Sequence, residues 1–151
     1  MFTGYTDQTV DVFWGIRFNN DRAWFAEHKQ EFQDAVMTPT KALAGDLYDW
    51  FQEAYPDLHL NVHISRIYRD ARRLFGRGPL KDEIWFSFQN EIEHRDGAPN
   101  FWFEVGAEGY GLGFGDAGVE EARAHGQVGD AQLQGQGLQQ FVFGDPALFD
   151  E

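Results

Sequence analysis

The apolar residues of this chain change period once, between Pro56 and Leu60, and that switch constrains the fold more than any other feature. Upstream they recur every three or four positions, as on one face of a helix. Downstream they alternate, as on one face of a strand. The upstream part divides into three predicted helices. Thr6 or Asp7 caps the first, which carries Val10, Phe13 and Trp14 and breaks at Gly15 and the pair Asn19-Asn20. The second starts near Asn20 or Asp21, runs to about Met37 and buries Trp24, Phe25, Phe32 and Val36. Thr38-Pro39 reads as a cap followed by a first-turn proline. It opens a third helix with Leu43, Leu47, Trp50 and Phe51 that stops before Pro56. Downstream, 60–68, 84–90, 100–106 and 110–115 read as strands with no helical pattern between them, which favours an antiparallel meander. The expected class is α+β: three N-terminal helices packed on an antiparallel sheet of about four strands.

Residues 117–151 read differently, with six Gly and six Gln. A helix over 119–125 and a short strand over 138–143 are all that the pattern offers, and neither has much apolar surface to bury. The expected organisation is one domain over 1–116 followed by a weakly ordered tail over 117–151. With 151 residues, 42% of them hydrophobic, the chain is long enough for one core, so global disorder is excluded. The absence of cysteine excludes a disulfide scaffold, a thiolate metal site and a thiol nucleophile together. No stretch approaches the roughly 20 apolar residues that span a bilayer, and the first residues lack the regions of a signal peptide, so a cytoplasmic location is expected.

Charge is unevenly placed. The whole chain carries −13, which argues against nucleic acid or an anionic membrane as a partner. Yet Arg66, Arg69, Arg72, Arg73, Arg77 and Lys81 fall within 66–81 with Asp70 as the one acid, a local charge of +5 on a body carrying −18. Such an island suits a small anionic ligand better than a long polyanion.

Two segments hold the candidate site. The first is 69–82, which leaves a strand and is too broken by Gly and Pro for a regular element. Guanidinium forks there can hold phosphate or carboxylate, with Arg66, Arg69, Arg72 and Lys81 as ligand-binding candidates and Asp70 as their orienter. The competing reading is a structural salt-bridge network in which these arginines pair with acids from the helices. The second segment is 18–29, where Asn20, Arg22 and Trp24 can border a pocket at a helix N-terminus. There too a plainer reading stands: Asn20 caps the helix, Trp24 and Phe25 are core, and His28 is solvated. If the protein is an enzyme, the cations would stabilise developing negative charge, and Asp70 or His28 would be the candidate base.

No motif calls for a cofactor or metal. His59 and His63, four apart in a predicted strand, would lie about 13 Å apart, too far to share an ion. Glycines 109, 111, 113 and 115 alternate with Tyr110, Leu112 and Phe114, a bare strand face suited to close packing. Nothing in the pattern specifies an oligomeric state.

The two candidate segments also carry a resemblance. Asn19, Asn20, Trp24, Phe25 and Lys29, followed by Arg69, Asp70, Arg72, Pro79 and Lys81, resemble the two spaced motifs of a bacterial family catalogued as domain of unknown function 2461. Leu80 stands where that family's pattern has tyrosine. The resemblance covers about residues 2–115 and implies no particular activity. Family members continue with helices and basic residues after the sheet, so the Gly/Gln-rich tail reads as a truncated or frame-shifted end.

Overall fold

A computed structural model describes residues 1–90, 100–116 and 119–126, with side chains described up to residue 90 and over 101–113. Helix α1, Asp7–Phe18, starts after Thr6, whose N–H is accepted by the Thr9 hydroxyl at 3.2 Å. It buries Val12, Phe13 and Ile16. Gly15 does not end the helix. It makes room, because a Cβ there would lie 2.9 Å from the Trp24 ring.

The expected second and third helices are one. Helix α2 is a continuous run of α-helix Arg22–Phe32, a π-helical turn Gln33–Met37 and α-helix Thr38–Ala54. A proline inside an α-helix leaves the carbonyl four residues back without its donor, and for Pro39 that carbonyl belongs to Ala35. Here the Thr9 hydroxyl of α1 donates to it at 2.8 Å. Thr40 donates to the Val36 carbonyl at 2.7 Å and receives the Tyr5 hydroxyl at 2.9 Å. The widened turn is thus satisfied from outside, so Thr38-Pro39 passes through a helix instead of starting one. Burial pushes the Tyr5 hydroxyl well above its ordinary pKa, with the Thr40 hydrogen bond opposing.

Among the described residues the sheet is an antiparallel meander that contains the four expected strands and a fifth, in the order β1 Leu60–Ile64, β2 Glu83–Asn90, β3 Asn100–Gly106, β4 Gly109–Asp116 and β5 Val119–Gly126. β5 occupies the residues expected to be helical and the first part of the expected tail. It pairs with β4 from Val119↔Asp116 to Gly126↔Tyr110, with a register shift between Phe114 and Gly115. The alternation of Ala122 and Ala124 with Glu121, Arg123 and His125 suits a strand, and an unpaired β4 edge offers backbone groups for it. The expected strand at 138–143 and the rest of the tail lie outside the described residues.

Register explains the two layers. Ile84, Phe86 and Phe88 of β2 face the same way as Phe101, Phe103 and Val105 of β3 and Leu112 of β4, and all are buried. The helices and the segment before α1 cover that face: Phe51 of α2 lies 5.0 Å from Phe88, and Tyr5, ahead of α1, stacks parallel to Phe103 at 6.1 Å. On β4, the missing Cβ of Gly113 leaves space for the Trp102 indole of the neighbouring strand. His59 is not in the strand; it ends a 3-10 turn in the left-handed region at φ 47°.

Candidate functional site: an arginine-rich loop over the helix junction

The long connection from β1 to β2 lies against the junction between α1 and α2, so the two candidate segments meet. Alternation along β1 predicts Arg66 and Tyr68 on the apolar face, but it slips by one at Ser65. That residue donates its N–H to the Trp85 carbonyl at 2.8 Å and accepts the Trp85 N–H on its hydroxyl at 3.0 Å. Beyond it Ile67 turns inward, while Arg66 and Tyr68 are exposed.

The root of the loop is held by Asn20. Its amide donates to the Leu80 carbonyl and accepts the Leu80 N–H, both at 2.8 Å, acting as a one-residue strand partner. Leu80 is fully buried, so these two bonds satisfy groups that water does not reach. Gly78 is required there, since any Cβ would collide with the Asn20 side chain. Asn20 is therefore not the cap of α2. Asp21 is, accepting from the N–H groups of Ala23 at 2.7 Å and Trp24 at 3.0 Å.

A second tie is electrostatic. Asp82, only 20% exposed, receives Arg17 of α1 at 2.6 Å and Arg69 of the loop at 3.8 Å. Arg69, 16% exposed, also donates to the Gly78 carbonyl at 3.2 Å. Arg17 reaches on to Glu108 at 3.3 Å and lies 4.6 Å from the Trp14 ring centre. The pairing runs opposite to the one expected, since the helix brings the cation and the sheet side brings the acid. Neither Arg17 nor Asp82 stands out by pattern. Arg17 closes α1, where the helix dipole favours a cation, and Asp82 directly follows Lys81, but neither placement names the other.

The outer loop differs. Asp70 opens a short 3-10 turn, Ala71–Arg73, accepts the Arg72 N–H at 2.9 Å and holds its guanidinium by two bonds of 2.8 and 3.1 Å. Arg72, with an 87% exposed side chain, projects outward while its fork stays oriented. The Arg72 hydrogen bonds hold the Asp70 carboxyl below its usual range, which makes it a poor proton acceptor. Arg66 and Arg73 are exposed with no ion pair among the described residues.

The turn Leu74–Arg77 has both central residues at positive φ, 47° for Phe75 and 80° for Gly76, and closes by Arg77 N–H to Leu74 O at 2.9 Å. That is the type I′ pattern, in which glycine or asparagine is usual. A phenylalanine in the left-handed region costs about 1–2 kcal/mol, and Phe75 is 83% exposed. The Arg77 guanidinium caps the Leu74 and Arg73 carbonyls at 3.3 Å.

The remaining candidates border the root. The Arg22 guanidinium lies 5.2 Å from the Tyr68 ring centre. Trp24 packs over Gly15 and stacks on His28 at 4.0 Å. His28 Nδ1 lies 2.8 Å from the Trp24 carbonyl, which can only accept, so Nδ1 carries a hydrogen and donates it. The Lys81 ammonium lies 5.9 Å from the Trp85 ring centre. Desolvation pulls its pKa down, nearby Glu83 opposes this and Arg69 adds to it.

A family model described as conserved hypothetical protein, DUF2461, matches residues 8–125. The chain belongs to the DUF2461 family. The match takes in both motif segments and continues past residue 115 through most of β5, so the family's pattern extends into what the sequence suggested was tail. Comparison with curated proteins and with solved structures found no match. Among the described residues of this DUF2461 domain, no group of three His, Asp or Glu side chains is placed to hold a metal ion. No described helix is long and apolar enough to cross a membrane.

Proposed function

We propose that this domain binds a phosphate or carboxylate on the outer arginines of the 66–81 loop, Arg66, Arg72 and Arg73. Asp70 serves to orient Arg72, and Arg69 and Asn20 serve to position the loop. One observation carries the reading: on a single loop the inner guanidinium, Arg69, is tied to Asp82, while Arg66 and Arg73 stand exposed with no ion pair among the described residues and the exposed Arg72 is paired with Asp70 of its own turn. Planar forks of this kind match carboxylate and phosphate oxygens two at a time. The test is thermal unfolding against inorganic phosphate and a panel of phosphorylated and carboxylated metabolites. A ligand at 100 times its dissociation constant adds about 2.7 kcal/mol, a rise of several degrees for a domain of this size. A cooperative melt that no compound moves would overturn the reading.

A second reading, a structural or interaction module whose arginines serve only the fold, draws support from the Arg17–Asp82–Arg69 tie. Arg72→Glu separates the two. On the anion reading it abolishes the ligand-induced rise and leaves the unliganded melt in place. On the structural reading it lowers the melt as far as Arg69→Glu does.

A further inference from the structure

We infer that the anion recognised here is carried by an acidic protein segment, and that Phe75 is the apolar anchor for it. This rests on the anion-binding reading and names its partner. A metabolite-sized anion is best held by donors that converge on it in a cleft. Two of the outer arginines, Arg72 and Arg73, instead directly precede an exposed turn, and a central residue of that turn is a phenylalanine 83% exposed to water. The turn is firmly built: its backbone closes at 2.9 Å, and the Arg77 guanidinium donates to the carbonyls of Leu74 and of Arg73 just before it. It thereby holds a bulky residue in the left-handed region, where asparagine or glycine is easier. A ring kept at a position that strains the backbone, and that buries almost nothing in this chain, is accounted for by a contact with another molecule.

The chemistry of that molecule follows from charge and composition. Aromatic rings with arginines are the usual anchors of protein interfaces. Phe18, 77% exposed, lies two residues from Asn20 and so adds a second exposed ring at the root of the same loop. The loop segment carries +5 while the rest of the chain carries −18. A nucleic acid or a continuous anionic bilayer would meet that negative body as well as the loop. A short segment with a few Glu or Asp residues and one apolar side chain meets only the loop, placing carboxylates on Arg66, Arg72 and Arg73 and its apolar side chain on Phe75.

The experiment is fluorescence anisotropy on the full chain with two labelled peptides, one of glutamates flanking a central leucine and one with serine in its place. Inorganic phosphate serves as competitor, and vesicles with and without phosphatidylserine form a separate arm. The inference predicts that the leucine peptide binds about tenfold tighter than the serine peptide, as one apolar contact provides. Phe75→Asn should erase that advantage while folding at least as well as wild type, and Arg72→Gln with Arg73→Gln should weaken both peptides. Equal binding of both peptides, unaffected by Phe75→Asn, would overturn the inference and leave the anion reading intact. Failure of both peptides together with no response to phosphate would overturn both. Phe75-dependent binding to the phosphatidylserine vesicles without peptide binding would assign the surface to lipid and also overturn the inference.

Discussion

Arg69 and Arg72 stand three residues apart on one loop and each is paired with an aspartate, yet one is turned inward and the other outward. Arg69 turns inward to Asp82 and the Gly78 carbonyl, in the same inner layer where Asn20 satisfies both backbone groups of Leu80. Arg72 turns outward, and its partner Asp70 comes from its own turn, so that pair ties the loop to nothing else. The root is made of contacts between residues far apart in sequence; the rim is made of local ones. Cost of removal should follow that difference, because a long-range contact to a buried group adds to cohesion whereas a solvent-exposed local pair adds little.

The comparison can be broken at the root first. Asp82→Ala leaves Arg17 and the poorly exposed Arg69 without their shared counter-charge and should cost roughly 2–3 kcal/mol in denaturant unfolding. A loss below half a kcal/mol would mean that the tie contributes no cohesion. Asn20→Ala should cost about 2 kcal/mol, since it strands the buried N–H and carbonyl of Leu80. Gly78→Ala should act in the same direction by displacing the Asn20 amide. Parallel urea titrations of the two variants would check that they disturb one contact.

At the rim the expected effects shrink and one changes sign. Phe75→Asn puts a residue suited to the left-handed region where phenylalanine is strained, and should raise stability by up to about 1 kcal/mol. A fall in melting temperature would show that the ring packs on the fold after all. The smallest effect is with pH. Arg72 holds the folded Asp70 pKa below its unfolded value of about 4, so its contribution is intact above that pH and is lost as pH falls through the depressed folded value. A carboxyl NMR titration of Asp70 should place its midpoint below that of a free aspartate, and a midpoint at or above it would contradict the pairing.

Much of this was legible in the sequence for a physical reason. Helix and strand periods report which face is buried, so α1, β2, β3 and β4 could be placed to within a few residues from Phe13, Phe86, Phe103 and Leu112. The motif segments 18–29 and 69–82 could also be picked out, because cations and broken backbone concentrate there. What was not legible depends on contacts between distant residues. Pro39 signals a helix start locally, and only the Thr9 hydroxyl, thirty positions away, lets the helix run through it. Asn20 matches a cap by type and is claimed instead by Leu80. The pairing of Arg17 with Asp82 has no local signature at all. β5 has little signature in the sequence because its alternating residues are small and charged, so their period carries little hydrophobic signal.

The division between root and rim is tested most directly by thermal unfolding of wild type and the triple variant Arg66→Gln, Arg72→Gln, Arg73→Gln. Each would be measured in inorganic phosphate and in chloride of matched ionic strength. The two proteins should melt together in chloride, and phosphate should raise wild type by several degrees and leave the variant unmoved. A variant that melts far below wild type in chloride, or that gains as much from phosphate, would contradict the assignment of these arginines to an anion surface.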